Sequence, residues 1–435
     1  MKLKFTIIFF ALGLFSLQAQ EIWTLERCID TALVNNKKLK IDANNILISQ
    51  AKEKEVKSNL LPKIKGTIDY KYFFDLPTQL MPAQAFNPMA PEWQFKPAQF
   101  GVPHNISANV QAGLPVYNAT LLSGIETTKI ATELNELKQQ RTEEDIYTTI
   151  SELYFNAQVI LNQMAFIDGN ITNTTRLLDN LKLLKSQQLA TGTDVNKVDL
   201  QIKDLQSKKQ LLNSNYRQVI DALKINMGVN AINLNVTSKI DFTKTGHYTK
   251  NTLTDIKMVE TKQRLMDRQI KTLKRGYLPS VALYGSYGQT GYGYDEEPND
   301  FLDFYDISFV GLKIDIPIFD VTTKHKVTQK KLERENIDLQ LDLLTEQNDI
   351  QTKGARRQLD ISLQNILNTQ SQIALAQSVY DNTLLQHKQD VASLNDVLMA
   401  DNNLRQSQQN YLQAVVAYLK ADLDMKKLTG NIIKN

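Results

Sequence analysis

Ile106-Ser107-Ala108-Asn109-Val110-Gln111-Ala112-Gly113-Leu114 runs into Pro115-Val116-Tyr117. Successive side chains of a strand point to opposite faces, so this stretch has an apolar face of Ile106, Ala108, Val110, Ala112 and Leu114 and a wet face of Ser107, Asn109, Gln111 and Gly113. Further on, Val310, Leu312, Ile314 and Ile316 oppose Gly311, Lys313 and Asp315, and Ile316-Pro317-Ile318-Phe319 repeats Leu114-Pro115-Val116-Tyr117. Aromatic-rich strands are predicted ahead of both, over Ile64 to Phe74 and Val281 to Tyr287. Strands of about ten residues with this alternation fit a transmembrane barrel with a polar lumen, and equally a soluble sheet with one buried face.

The chain is duplicated. All eleven prolines fall between Pro62 and Pro115 or between Pro279 and Pro317. Leu61-Pro62 recurs as Leu278-Pro279; from Pro115 onward the copies keep a register of 202 residues, pairing Asp194 with Asp396, Asp199 with Asp401, Tyr216 with Tyr418 and Gly228 with Gly430. The first copy carries about fifteen extra residues, assigned to a surface loop between Leu76 and Pro103.

The proline-free blocks are helix-forming, because proline inside a helix costs about 3 kcal/mol. Ile146, Ile150, Leu153, Ala157 and Ile160 step by four and three, as do Leu359, Leu363 and Ile366, with Ile373 and Tyr380 on the same seam. A helix of about 70 residues is roughly 105 Å long, with breaks expected at Asp168-Gly169-Asn170 and at Gly354. Returning helices are predicted over 194–227 and 396–428, the second with Leu404, Tyr411, Val415 and Tyr418 on one face.

Lys2 and Lys4, the apolar run Phe5 to Leu17 and Leu17-Gln18-Ala19 read as an export signal over residues 1–20. Without it, the 50 basic side chains fall to 48 against 47 acidic ones, so no polyanionic partner and no nucleic acid is called for. The single cysteine, Cys28, permits no internal disulfide. The predicted organisation is repeat 1 over 21–230 (hairpin of strands about 62–117, helical hairpin about 118–228), a linker over 231–250, and repeat 2 over 251–435 (strands about 279–319, helices about 320–430). Four strands cannot enclose a lumen, and open sheet edges are not tolerated in hydrocarbon, so spanning strands would require several copies.

At this level the sequence resembles the TolC-like outer-membrane efflux proteins over essentially the whole mature chain. The opening Trp23-Thr24-Leu25-Glu26-Arg27-Cys28-Ile29-Asp30-Thr31-Ala32-Leu33-Val34-Asn35-Asn36 is similar to that family's first helix, which usually continues with proline where Lys37 stands here. The Leu-Pro strand entries, the strand exits, and the turns Leu189 to Val195 and Val391 to Val397 also match in order and spacing. The resemblance implies a mainly helical fold with membrane hairpins and a homotrimer with a twelve-stranded barrel continued by a helical tube. It implies an outer-membrane location with the helices in the periplasm, contact with outer-membrane lipid, and as partners a periplasmic adaptor and an inner-membrane pump. The linker and a helix over Thr252 to Arg275 would form a belt.

By the same resemblance Asp396 would line a periplasmic gate and Asp194 would tie neighbouring hairpins. Gly192, Thr193, Val195, Leu394, Asn395 and Val397 would form the tips that meet the adaptor. Residue types alone read both aspartates as helix N-caps. A basic residue expected four before Asp396 is Ala392 here, and an acid expected a turn later is Met399.

No cofactor, metal or catalytic chemistry is called for. His104, His247, His325 and His387 lack ligand spacing, and Cys28 has no histidine near it in sequence. Gly285-Ser286-Tyr287-Gly288-Gln289-Thr290-Gly291 lacks the closing Gly-Lys-Ser/Thr of a phosphate loop and is read as relieving crowding in a strand and its loop. Asp295-Glu296-Glu297 with Asp300 reads as a solvated loop rather than a calcium site. The rival readings are a periplasmic adaptor, expected to nest one helical hairpin inside a β-domain, and a secreted coiled-coil scaffold, which leaves the recurring strands unexplained.

Overall fold

The computed structural model describes residues 22–230, 234–240, 242, 248–294 and 303–432. The export segment, His247 and the acidic run from Asp295 to Asp300 lie outside the described residues. In chain order the elements are β1 (Ile22–Trp23), α1 (Leu25–Asn35), α2 (Lys37–Ser58), β2 (Lys63–Tyr72), β3 (Thr78–Pro82), β4 (Phe95–Gln99), β5 (His104–Tyr117), α3 (Ala119–Ser186), α4 (Gly192–Met227), β6 (Asn235–Val236), α5 (Thr254–Arg275), β7 (Ser280–Gly293), β8 (Asp303–Asp315), α6 (Val321–Lys388) and α7 (Leu394–Leu428). They fall into two compact units.

One unit comprises Leu47–Glu133 and Thr261–Asp338. Its centre is a four-stranded antiparallel sheet in the order β2-β5-β7-β8. The rows Ile64↔Ala112, Ala112↔Gly285 and Gly285↔Val310, with Leu114↔Leu283↔Leu312, put Ile64, Ala112 and Leu114 of the first repeat on one face with Leu283, Val310 and Leu312 of the second. Ile64, Ile68, Val110, Val310, Leu312 and Ile314 are each at least half exposed there. The two hairpins join through β5 and β7, which pair along nearly their whole length. Gly288 makes that approach possible: a Cβ at this position would lie 2.4 Å from the Ala108 carbonyl oxygen. The glycine-rich run lies wholly inside β7, which continues to Gly293 where the sequence pattern stops at Tyr287.

The extra residues of the first copy form a second, two-stranded sheet, β3 against β4, with a single 3-10 turn at Ala83–Ala85. This corrects the expectation of a plain loop; Thr78–Pro82 and Phe95–Gln99 pair in register although Pro82 and Pro97 stand within them. Below the sheet, α5 is tied to α3 and α6 by ion pairs: Arg268 with Glu126, Arg264 with Glu133, and Arg334 with Asp267 at 3.1 Å.

The other unit comprises the described residues through Ile46, Leu134–Glu260, and those from Leu339 on. Here α3 pairs with α4 and α6 with α7, and the expected seam residues Ile146, Ile150, Ala157, Leu359, Ile366, Tyr380, Leu404 and Val415 are all buried. Neither expected break occurs; α3 and α6 are each continuous over 68 residues. Asn170 is drawn into the interior, where its Nδ2 donates to Gln408 Oε1 at 2.9 Å, and that bond outweighs the local turn preference of Asp-Gly-Asn. Gly354 is accommodated without a break, with nothing within 4 Å of where its Cβ would be.

The first helix ends at Asn35 and α2 opens at Lys37, the position where the resembled family usually has proline. Asn36 takes an extended conformation, accepts from the Lys38 amide at 2.7 Å to open α2, and donates to the Asn226 carbonyl at 2.6 Å. Around it, Trp23, Cys28, Ala32, Ile150, Ala157, Leu223 and Met227 form a core. Burial there pushes the Cys28 thiol up to about 12. β1 pairs in parallel with β6, and the described linker residues accept side-chain bonds from α3: Gln158 to the Lys239 carbonyl and Asn162 to the Ser238 carbonyl, both 2.8 Å.

Candidate gate at the hairpin tips

The two helix-to-helix turns are copies of one another. Each descending helix ends in a residue of left-handed backbone, Gln188 (φ 63°) and Asp390 (φ 59°), 202 positions apart. In both, the next amide bonds back to the carbonyl five residues earlier, Leu189 to Leu184 and Val391 to Gln386, each at 2.9 Å. This closes the helix in the usual αL manner without the usual glycine, at a cost of about 1 kcal/mol per turn. The residues so displayed, Leu189 and Val391, are 71% and 73% exposed.

The returning helices then open on capping boxes. Thr191 and Ser393 are the N-caps, and Asp194 and Asp396 stand at the third helical position, which corrects the reading of both aspartates as caps. Asp194 Oδ2 accepts from the Thr191 hydroxyl at 2.6 Å, and Asp396 Oδ2 accepts from the Ser393 hydroxyl at 2.7 Å and its amide at 2.9 Å. These hydroxyls hold both carboxyls below their ordinary range; Lys197 and His387 add to the effect at Asp194, whereas no charged group does so at Asp396. Asp396 is the more exposed of the two.

Of the other tip residues, Gly192, Thr193 and Asn395 lie in the first turns, at or near the surface. Leu394 and Val397 are buried in a core that also holds Leu177, Leu181, Val198, Ile202, Tyr380 and Leu404, with Val195 packed against it. Their side chains are thus part of what holds the two hairpins together. Ala392 and Met399 carry no charge, but the Ala392 carbonyl accepts from His387 Nδ1 at 2.9 Å. His387 is unremarkable by ligand spacing and stands in the last turn of α6; only the fold brings it near Asp194.

Depressed carboxylates stabilise the state in which they are capped. Their contribution is complete above the ordinary carboxylate range and is lost as pH falls through the lower folded value. Amide exchange at Asp194, Val195, Asp396 and Val397 is therefore expected to be slow at neutral pH and to gain relative to the helix centres on acidification below the ordinary carboxylate range. Equal protection ratios at both pH values would refute this.

Behind the tips the same helices bury a charge. Asp401 Oδ2 lies 2.5 Å from the Arg405 guanidinium and accepts from Gln201 Nε2 at 2.5 Å, joining α7 to α4. Its counterpart in the first repeat, Asp199, is partly exposed and pairs with Lys203 at 3.0 Å.

No protein-family model and no curated protein matches the sequence. Solved structures do. The outer membrane protein VceC from Vibrio cholerae superposes with a TM-score of 0.71 at 12% identity, covering 93% of this chain and 96% of that one. The Campylobacter jejuni CmeC outer membrane channel gives 0.74 at 15% identity over 94% and 86%, and the open state of the Neisseria gonorrhoeae MtrE outer membrane channel gives 0.72 at 15% over 94% and 89%. The chain therefore has the fold of outer-membrane channel subunits. Among such folds it is that of the TolC-like channels, in agreement with the resemblance read from the sequence.

Proposed function

We propose that this protein is a subunit of an outer-membrane exit duct. The observation that carries the reading is the four-stranded sheet: one face is apolar and exposed, and among the described residues both outer strands, β2 and β8, have an unpaired edge. In hydrocarbon each unpaired backbone group costs several kcal/mol, so the edges require partners. β2 and β8 run in opposite directions, so copies joined edge to edge continue one antiparallel sheet. Three copies would make twelve strands, with Ile64, Ile68, Val110, Val310, Leu312 and Ile314 toward lipid and Asn109, Gln111, Lys313 and Asp315 toward the duct.

In this reading residues 21–230 and 251–435 are the two repeats joined by the 231–250 linker, and the helical hairpins stand in the periplasm. The duct conducts passively and receives its cargo from an adaptor and an inner-membrane pump. The adaptor contacts are the tip residues at the surface, Gly192, Thr193, Asn395 and, by their exposure, Leu189 and Val391. Asp396, three copies around one axis, repels itself, constricts the aperture and favours cations; Asp194 braces the adjacent hairpin. The rival readings, an adaptor or a coiled-coil scaffold, give no role to an exposed apolar sheet face.

The test is reconstitution of the protein extracted from outer membranes into planar bilayers. Stepwise, cation-preferring conductance is expected, and Asp396→Ala should raise it by about twofold or reduce the preference. Unchanged conductance and selectivity in the variant would remove Asp396 from the gate. A protein that is soluble and forms no channel would overturn the duct itself and favour the adaptor or scaffold.

A further inference from the structure

We propose that the sheet's polar face, from Tyr284 outward, carries an apolar collar, Tyr284, Tyr292, Tyr305, Ile307 and Phe309, that binds aromatic or branched aliphatic groups of small organic solutes passing along it. The inference rests on the duct reading above and adds to it a class of cargo.

The observation is an inversion of polarity within β8. From Val310 to Asp315 the strand alternates in phase with the rest of the sheet, Lys313 and Asp315 on the polar face and Val310, Leu312 and Ile314 on the other. From Tyr305 to Phe309 the phase is reversed. The pairing between β7 and β8 runs without a slip from Ser280↔Asp315 to Tyr292↔Asp303, so no bulge turns the strand over. Phe309, Ile307 and Tyr305 therefore share a face with Ser286, Gly288 and Thr290, and through β7 with Gln111, Asn109 and Ser107. The opposite face at the neighbouring rows holds Ser308, Asp306 and Gln289, and Gln289 Nε2 donates to Asp306 Oδ1 at 2.8 Å, which anchors the polar side where the apolar side is expected.

The collar is built as rings that brace one another and stay open to a visitor. Tyr284 meets Phe309 edge to face with centroids 5.9 Å apart, and Tyr292 meets Tyr305 at 6.0 Å. All five side chains are between 40% and 57% exposed. Gly288 faces Ile307 across the pair, and its missing side chain lets Asn109 of β5 close in behind it, so the isoleucine is backed by packed strand on that side. The inner end of the same face is charged, with Lys313 and Asp315 in an ion pair at 3.2 Å, so a solute leaving that end meets first charge and then ring faces. Lysines and aspartates nearly balance on this face, so ring and aliphatic contact, rather than net charge, distinguishes one solute from another here.

The experiment uses the full-length channel in planar bilayers, with benzyltrimethylammonium as the aromatic probe and choline as its non-aromatic control. Wild-type current is expected to fall with the aromatic cation at concentrations where choline has no effect. The Ile307→Asn/Phe309→Asn channel should need about tenfold more of it, and Val310→Asn, on the other face, should behave as wild type. Tyr305→Asn provides the same reading should the double variant fail to insert. Equal block in wild type and variants, or no distinction between the two cations, would overturn the collar while leaving the duct standing. A wild-type protein that forms no channel would overturn the duct first.

Discussion

Gly228→Ala is expected to destabilise the helical unit by about 3 kcal/mol or more, far beyond an ordinary glycine substitution. Gly228 closes α4 with φ 73°, a region that costs an L side chain about 1 kcal/mol or more. Most of the expected loss is steric. A Cβ there would stand 2.4 Å from the Asn35 carbonyl oxygen and 2.7 Å from its carbon, both backbone atoms at the junction of α1 and α2. Relief means moving that junction and its Asn36 to Asn226 bond, in a core that contains Cys28, Ala32 and Met227. Gly430, its repeat partner, is an internal control. It has nearly the same backbone (φ 69°), but its Cβ would lie 3.1 Å from the Asn251 side chain, so Gly430→Ala should cost only about 1 kcal/mol. Thermal unfolding of the two variants tests this; equal losses would mean that the steric argument at Asn35 is wrong.

Asp401→Ala is expected to cost about 3–5 kcal/mol, because it leaves Arg405 and Gln201 facing an empty position inside the helix pairs. Asp401 is 4% exposed, and its two partners come from different helices. The double variant Asp401→Leu/Arg405→Leu should recover most of the loss, since an apolar pair needs no compensation. No recovery would show that the pair contributes more than mutual neutralisation. Burial pushes the Asp401 carboxyl up, against the pull of Arg405 and of the bond from Gln201. A raised acid favours the folded state below its unfolded pKa and loses that contribution as pH rises through the folded value, the opposite sign to Asp194 and Asp396. Removing Asp401 should therefore flatten any fall in stability on the alkaline side of the carboxylate range.

Much of this architecture is legible along the chain because it is local and occurs twice. Proline confinement marks the strand windows, the three-and-four spacing marks the helix seams, and the 202-residue register recovers the paired turns, the paired aspartates and the paired cap glycines. The tips are legible only in part. Spacing locates the turns, but the burial of Leu394 and Val397 is completed only when the first hairpin packs on them. His387 lies beside the second turn in sequence, but its approach to Asp194 comes only from the packing of one hairpin on the other. Thr191 and Ser393 are hard to single out as caps because an acid residue three positions on is itself a good cap by type.

What the sequence by itself determined is each element and its apolar side, since backbone preference and side-chain period act over a few residues. Only the tertiary structure decided the partners. Asn170 extends a helix it should interrupt because Gln408 lies opposite, and the buried Asp401 joins two helix pairs because α4 brings Gln201 to α7. Phe309 and Ile307 face the polar side because the ladder with β7 holds its register through Tyr292↔Asp303. Each of these depends on residues distant along the chain, and an unbroken hydrogen-bond ladder or a buried polar bond outweighs the local preference that a sequence reading can register.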